Sequence, residues 1–368
     1  MPQPAPSLRR VLNAWGTPTP FGVSRSDAAV AQAVAQMLQR HVVMAELQAE
    51  AGRRLAQWSG AEAACVTHCT AAAVTLAVAA CMAGTQPARV AQLPDREGLP
   101  FRVPMLAAHA VHYGHPIVQA VRLAGALPVL CPSPEALRAA LAGPDIACVL
   151  AVESHLAPGS GADLTRELVQ LARAAQVPLV LDAAAQDWRA AQLVAGGADL
   201  VLLSAQKYLR APTAGLVLGR AGLVAAVDAQ HAGIGRAMKP TKEALAGVIA
   251  ALDQREALPV AAWRLAQQRK VDAVALAAAQ WPGVTVAREP DPQGNGFDRL
   301  WLTLQAQPGR PDAAAVVQRL RAGDPAVAVA PHRADRGQIG LELSGVDEAE
   351  LDELCGLLAV ALAPEAGA

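Results

Sequence analysis

Residues 177–188 read VPLVLDAAAQDW, and residues 196–219 read GGADLVLLSAQKYLRAPTAGLVLG. Each opens with a short apolar run, residues 178–182 and 200–203, of the length expected for a strand buried on both faces. The first run ends on Asp182. The second ends beside Ser204, and Lys207 follows three residues later. Residues 215–218 form a third run. Upstream, candidate strands at 63–67, 89–93, 126–130 and 146–152 alternate with helices that begin near Thr70, Pro116, Pro134, Leu164 and Arg189. Such alternation predicts an α/β fold with a mostly parallel sheet covered on both faces. Ligands of such sheets bind at the carboxyl ends of the strands, where Asp182, Ser204 and Lys207 fall.

The flanks complete the organisation. Residues 1–25, with Gly16, Pro18, Pro20 and Gly22, read as an extended N-terminal arm, and residues 27–58 carry helical spacing. Residues 26–240 then form a large domain. Residues 241–368 supply two long linking helices (241–255 and 260–280) and a small α+β C-terminal domain. Its strands are expected near 284–287, 300–304, 326–329 and 339–343, with helices at 312–321 and 347–362. A charge balance of 31 basic against 32 acidic residues provides no excess with which to neutralise a nucleic-acid backbone. The longest apolar stretch, residues 71–84, is too short to span a bilayer. Cys65, Cys69, Cys81, Cys131, Cys148 and Cys355 show no metal-ligand spacing and read as buried free thiols. A cytoplasmic enzyme with neither a nucleic-acid nor a membrane partner is the expectation, and no metal is expected.

An acid and a lysine at neighbouring strand ends suit pyridoxal phosphate (PLP). Its aldehyde needs a desolvated lysine amine for a Schiff base, and its ring nitrogen needs a carboxylate to keep it protonated. Lys207 and Asp182 are the candidates. The cofactor phosphate needs backbone N–H donors, and His68-Cys69-Thr70-Ala71 lies between a candidate strand and an Ala-rich helix, where a helix N-terminus favours a dianion. Ser204 is a further candidate phosphate ligand, and His68 a candidate ring contact. On the substrate side, Arg236, in the basic run with Lys239 and Lys242, suits a carboxylate or phosphate; Arg25 and Arg210 are further candidates. Among His109, His112, Tyr113 and His115, one group is expected to face the cofactor, and His112 is a candidate substrate contact.

Seven segments resemble the selenocysteine synthase (seryl-tRNA selenium transferase)-like superfamily, nearest its D-glucosaminate-6-phosphate ammonia lyase branch. They are GTPTPFGVSRS (16–26), residues 44–84, VRLAGA (121–126), VPLVLDAAA (177–185), GADLVLLSAQK (197–207), AGLVLGR (214–220) and GIGRAMKPTKEALAGVIAAL (233–252). The resemblance implies a fold-type-I PLP-dependent architecture, with Lys207 as Schiff-base lysine and Asp182 as partner of the ring nitrogen. It also implies a small amino acid or amino sugar acid substrate, α,β-elimination and an active site shared in a homodimer or larger homo-oligomer. Racemisation and β-replacement use the same lysine and aspartate. Selenium transfer on tRNA is disfavoured, because the shared pattern begins by Gly16 and leaves no room for a tRNA-binding domain. A non-catalytic protein on this scaffold is the remaining alternative. Where relatives carry Gly-Gly before the lysine and Gly-Gly-Pro-Gln after it, this chain has Ala205-Gln206 and Tyr208-Leu209-Arg210-Ala211-Pro212. The bulkier residues imply a reshaped substrate pocket.

Overall fold

The apolar runs at residues 178–182 and 200–203 form the centre of a sheet. In the computed structural model, which describes residues 8–364, the chain starts with β1 (Val11–Ala14), α1 (Ala28–Leu38) and α2 (Met44–Ser59). It continues through β2 (Ala63–Thr67), α3 (Thr70–Ala83), α4 (Pro87–Gln92), β3 (Arg102–Leu106), α5 (Ile117–Leu123) and β4 (Leu127–Cys131). Next come α6 (Pro134–Leu141), β5 (Val149–Val152), α7 (Ala162–Ala174), β6 (Leu179–Asp182), α8 (Ala190–Ala195) and β7 (Leu200–Ser204). β8 (Gly215–Gly219), α9 (Ala221–Ala229), α10 (Lys242–Ala257) and α11 (Val260–Ala278) follow. The C-terminal part holds β9 (Val284–Pro290), β10 (Asp298–Leu304), α12 (Ala313–Ala322), β11 (Ala326–Val329), β12 (Gln338–Leu341) and α13 (Leu351–Leu362).

The main sheet has the order β2-β8-β7-β6-β5, in which β5, β6 and β7 are parallel and β8 runs against both of its neighbours. The parallel pair β3-β4 continues it through a bridge from Arg102 to Ile146. Every residue of β6 and β7 is buried, and their side chains alternate between two cores. Leu179, Leu181, Val201 and Leu203 enter the core that also holds Leu168, Leu193 and Leu245. Val180, Leu200 and Leu202 enter the other, with Val74, Leu76 and Val78 of α3. A strand with no polar face needs a layer on each side, so the unbroken apolar runs specify the three-layer arrangement. α3 is buried nearly all round because Ala and Val let the sheet and neighbouring helices approach it from several sides.

Two compact units result: Ser26–Ala257, and the described residues up to Arg25 together with those from Leu258 onward. The division differs from the expected one in two ways. Residues 11–14 of the expected arm form a strand, β1, pairing parallel with β11, and α10 falls in the larger unit. The second unit also contains the antiparallel sheet β12-β10-β9. There Lys270 is buried and donates to Leu343 O at 2.7 Å and Val346 O at 2.8 Å. Among the described residues no helix is long and apolar enough to cross a membrane.

Three local expectations are corrected. Residues 89–93 lie mostly in helix α4, because Pro87 sits at its first turn, where proline's fixed φ favours a helix. β3 was not expected, since Pro104 interrupts its apolar run and proline argues against a strand interior. The helical stretch 27–58 is two helices, separated at residues 39–43.

Candidate active site

The ends of β6 and β7 are knitted together. Asp182 pairs in register with Leu202, Ala183 N donates to Leu202 O at 2.9 Å, and Ser204 N donates to Ala184 O at 3.0 Å. Beyond Ser204 the chain turns on itself, closed by Ala205 N to Ala214 O and Ala211 N to Ala205 O, both 3.0 Å. Lys207 sits in this turn, beside the strand end that carries Asp182. Arg210 completes it with a φ of 60°, a left-handed conformation uncommon for a side chain of its size.

Asp182 is 4% exposed, and Ala184 N donates to its Oδ1 at 3.2 Å. Burial raises its pKa to about 6, opposed by the Lys207 charge and then by the Ala184 amide. Lys207 shows the complementary shift. Desolvation lowers its pKa, while Asp182 and then Asp187 oppose the fall. A buried acid and a desolvated amine therefore face each other's fields, and neither keeps its ordinary ionisation.

The turn before α3 adjoins the same rim. Cys69 caps the helix, its Sγ accepting from Ala72 N at 3.5 Å, and Thr70 Oγ1 donates to Leu203 O at 3.2 Å, one residue before Ser204. His68 and Ala71 are exposed, and His68 N donates to Met238 O at 2.8 Å, which ties in the 3-10 turn Ile234–Met238 that carries exposed Arg236. The amides at the start of a helix lack intrahelical partners, so this end can receive an anion. Gly215 permits the close approach: a Cβ there would lie 2.4 Å from Cys69 O and 2.5 Å from Thr67 Oγ1. Gly215→Ala is accordingly expected to displace the Cys69 turn and weaken PLP retention at least about tenfold, since misplacement near 1 Å carries large penalties. Dialysis followed by absorbance checks this, and retention equal to that of the unsubstituted protein would contradict it.

Asp182, Lys207 and the α3 N-terminus fit PLP by their chemistry: a buried anion, a desolvated amine and the start of a helix at one sheet edge. The remaining lysines suit that role poorly. The chain has four, at 207, 239, 242 and 270. Lys242 is committed to Leu38 O (3.2 Å) and Arg40 O (2.6 Å), Lys270 is held by its two carbonyls, and Lys239 is exposed.

No protein-family model matches the chain. It is 33% identical to the D-glucosaminate-6-phosphate ammonia lyase of Salmonella typhimurium, over 94% of this chain and 93% of that one. A solved structure of a D-glucosaminate-6-phosphate ammonia-lyase superposes with a TM-score of 0.85 at 32% identity, covering 96% of each chain. The chain belongs to the D-glucosaminate-6-phosphate ammonia lyase family. It is also 33% identical to a Streptomyces 5'-C-glycyluridine monooxygenase-decarboxylase, over 90% of this chain and 84% of that one. At 14% identity, the serine palmitoyltransferase of Sphingomonas wittichii (TM-score 0.60, 95% and 86% covered) shares the fold alone. The expected fold-type-I architecture is thus the observed one.

Within this member of the ammonia lyase family, the other residues expected at the site are placed unevenly. Ser204 is buried at the β7 end. Arg210 forms an ion pair with Asp27 at 3.2 Å. Arg25 belongs to the other compact unit, where its guanidinium meets Glu350 at 2.8 Å, Asp347 at 3.3 Å and Gly345 O at 2.8 Å. His112 is exposed. Of the histidines at 109, 112 and 115, the one that the fold buries is His109, in the turn after β3, whose Nδ1 accepts from Val152 N at 3.2 Å. That bond leaves the proton on Nε2, which is buried without a partner among the described residues, and burial lowers the ring's pKa to about 4. Glu153 is a structural anchor, bonded to Arg189 (2.5 Å) and Thr165 (3.1 Å). Asp187 and Arg255, which pair near Lys207 at 2.8 Å, were not singled out in the sequence. Only the first lay close enough to Asp182 to be found there.

Proposed function

We propose that this chain is a PLP-dependent lyase that carries out α,β-elimination on a 2-amino acid bearing a hydroxyl on the neighbouring carbon. The observation that carries the reading is the placement of Asp182 at the end of β6 beside the turn after β7 that holds Lys207, burial shifting the ionisation of both and each opposing the other's shift. Family membership supports the substrate class. Glucosaminate and glycyluridine, in the relatives' names, are both 2-amino acids with a hydroxylated neighbouring carbon.

Lys207 would hold the cofactor covalently, Asp182 would face its ring nitrogen, and the α3 N-terminus with Ser204 would bind its phosphate. PLP bound there supplies an aldehyde and an electron sink. Lys207, desolvated and so more readily neutral, serves as the base that removes the proton from the substrate Cα. Asp182 keeps a proton on the ring nitrogen by presenting a fixed negative charge. Arg236 is the candidate for a substrate carboxylate or phosphate. The balance is loss of water across Cα–Cβ, then hydrolysis of the released enamine to a 2-oxo acid and ammonia.

The Asp182 shift sets a pH dependence. Protonation of the carboxyl removes the charge that the ring nitrogen requires, so PLP affinity is expected to fall as pH drops through about 6. Equilibrium dialysis over a pH series checks this, and an affinity flat through that region would contradict it. The reaction itself is tested by incubating the loaded enzyme with D- and L-3-hydroxy-2-amino acids, including sugar acids, and following ammonia and 2-oxo acid. Equimolar formation of both supports elimination. Carbon dioxide release with oxygen uptake would favour the chemistry named for the Streptomyces relative, and change of configuration alone would indicate racemisation. A homodimer or larger assembly in the cytoplasm completes the reading by analogy of fold; scattering at working concentration is expected to give at least twice the chain mass, and a monomer's mass would contradict it.

A further inference from the structure

Lys207 senses a second carboxylate besides Asp182. Asp187 lies in the turn after β6, is buried, and adds its field to that of Asp182 at the lysine. Its partner is Arg255, in the last turn of α10, 68 residues away. One nitrogen, Nη2, donates to Asp187 Oδ2 at 2.8 Å and to Tyr208 O at 2.6 Å, and the guanidinium stacks 3.6 Å from the centre of the Trp188 ring. A single guanidinium thus joins the segment that follows Asp182 to the residue that follows Lys207.

Fold stability is a poor reason for this arrangement. A buried ion pair offers little over well-packed apolar side chains. Asp187 Oδ1 is moreover buried with no hydrogen-bond partner among the described residues, which carries a desolvation cost. Backbone bonds already close the Lys207 turn on itself, through Lys207 N to Ser204 O at 3.3 Å and Arg210 N to Lys207 O at 3.1 Å. Tyr208 O is where α10 grips the turn.

We propose that Asp187 and Arg255 are positioning residues for Lys207, the guanidinium fixing the lysine's turn against the Asp182 segment and pairing the Asp187 charge that faces the ε-amine. The role ascribed to Lys207 rests on the function proposed above, but the test does not require the cofactor. In the cofactor-free full-length chain, acetylation of Lys207 by acetic anhydride is followed over a pH series by peptide mass spectrometry, giving the midpoint of the amine. Asp187→Asn removes a negative charge and leaves Arg255, so the midpoint falls by about one unit and labelling at neutral pH rises about tenfold. Arg255→Gln removes the positive charge, so the midpoint rises. Two residues with a merely structural role would hydrate the pocket when replaced and move both midpoints upward, toward an ordinary lysine. If Asp187→Asn does not fold, the double variant Asp187→Asn/Arg255→Gln, which leaves no unpaired buried charge, is compared with Arg255→Gln alone and must show the lower midpoint. Midpoints that move together, or do not move, overturn the proposal. Borohydride trapping on the unsubstituted protein separately reports whether Lys207 carries PLP, so the functional reading can fail while the opposed shifts stand.

Discussion

Replacing Lys207 with alanine is expected to lower turnover by about 10³–10⁴-fold, because one substitution removes both the covalent attachment and the base for the Cα proton. The fold should survive. The Lys207 turn is closed by backbone bonds at Ala205, Ala211 and Arg210, and the lost side chain carries a desolvated amine rather than a packing element. Circular dichroism should therefore match that of the unsubstituted protein, while the absorbance of lysine-bound PLP disappears. Turnover within tenfold of normal would remove Lys207 from the chemistry.

The second large effect concerns Asp182. Asp182→Asn is expected to reduce turnover by about 10²–10³-fold, as loss of a preorganised electrostatic partner does in other sites, while making the cofactor-free protein more stable. The reason is the direction of the shift. Burial raises the carboxyl pKa from 3.8 to about 6, so the folded state holds the proton more tightly than the unfolded one. The resulting penalty is absent well below the unfolded value, grows between the two values and is complete above about pH 6. At neutral pH it is on the order of 2–3 kcal/mol, from ~1.4 kcal/mol per unit. The asparagine variant should denature later at neutral pH, and the difference should shrink on acidification. Equal stability at neutral pH would show that Asp182 is not strained by burial. The effect is a local exchange of stability for function.

Much of this was legible because β6 and β7 announce themselves. Strands buried on both faces must be apolar at every position, so the polar residues that end them stand out, and parallel pairing puts those ends on one rim. The α3 N-terminus was legible for a similar reason, an Ala-rich run opening after a strand. Short runs without such constraints were not. Residues 89–93 form too short a run to fix a period and lie mostly in a helix started by Pro87, with Val90 and Leu93 buried three apart, and Pro104 concealed β3. Residues joined only by tertiary contact left no trace: nothing near Arg255 in sequence points to Asp187 or Tyr208. Among the histidines, spacing alone did not separate His109 from His112. The distinction is made by Val152 N, which only the β3–β5 neighbourhood brings to His109.

By the proposed function, one particular amine among the chain's four lysines carries the cofactor opposite a buried anion. Borohydride reduction of the PLP-loaded protein, followed by proteolysis and mass mapping, addresses it directly. A stable pyridoxyl phosphate adduct is expected on the peptide containing Lys207. An adduct confined to Lys239, Lys242 or Lys270, or none at all with PLP in excess, would contradict it.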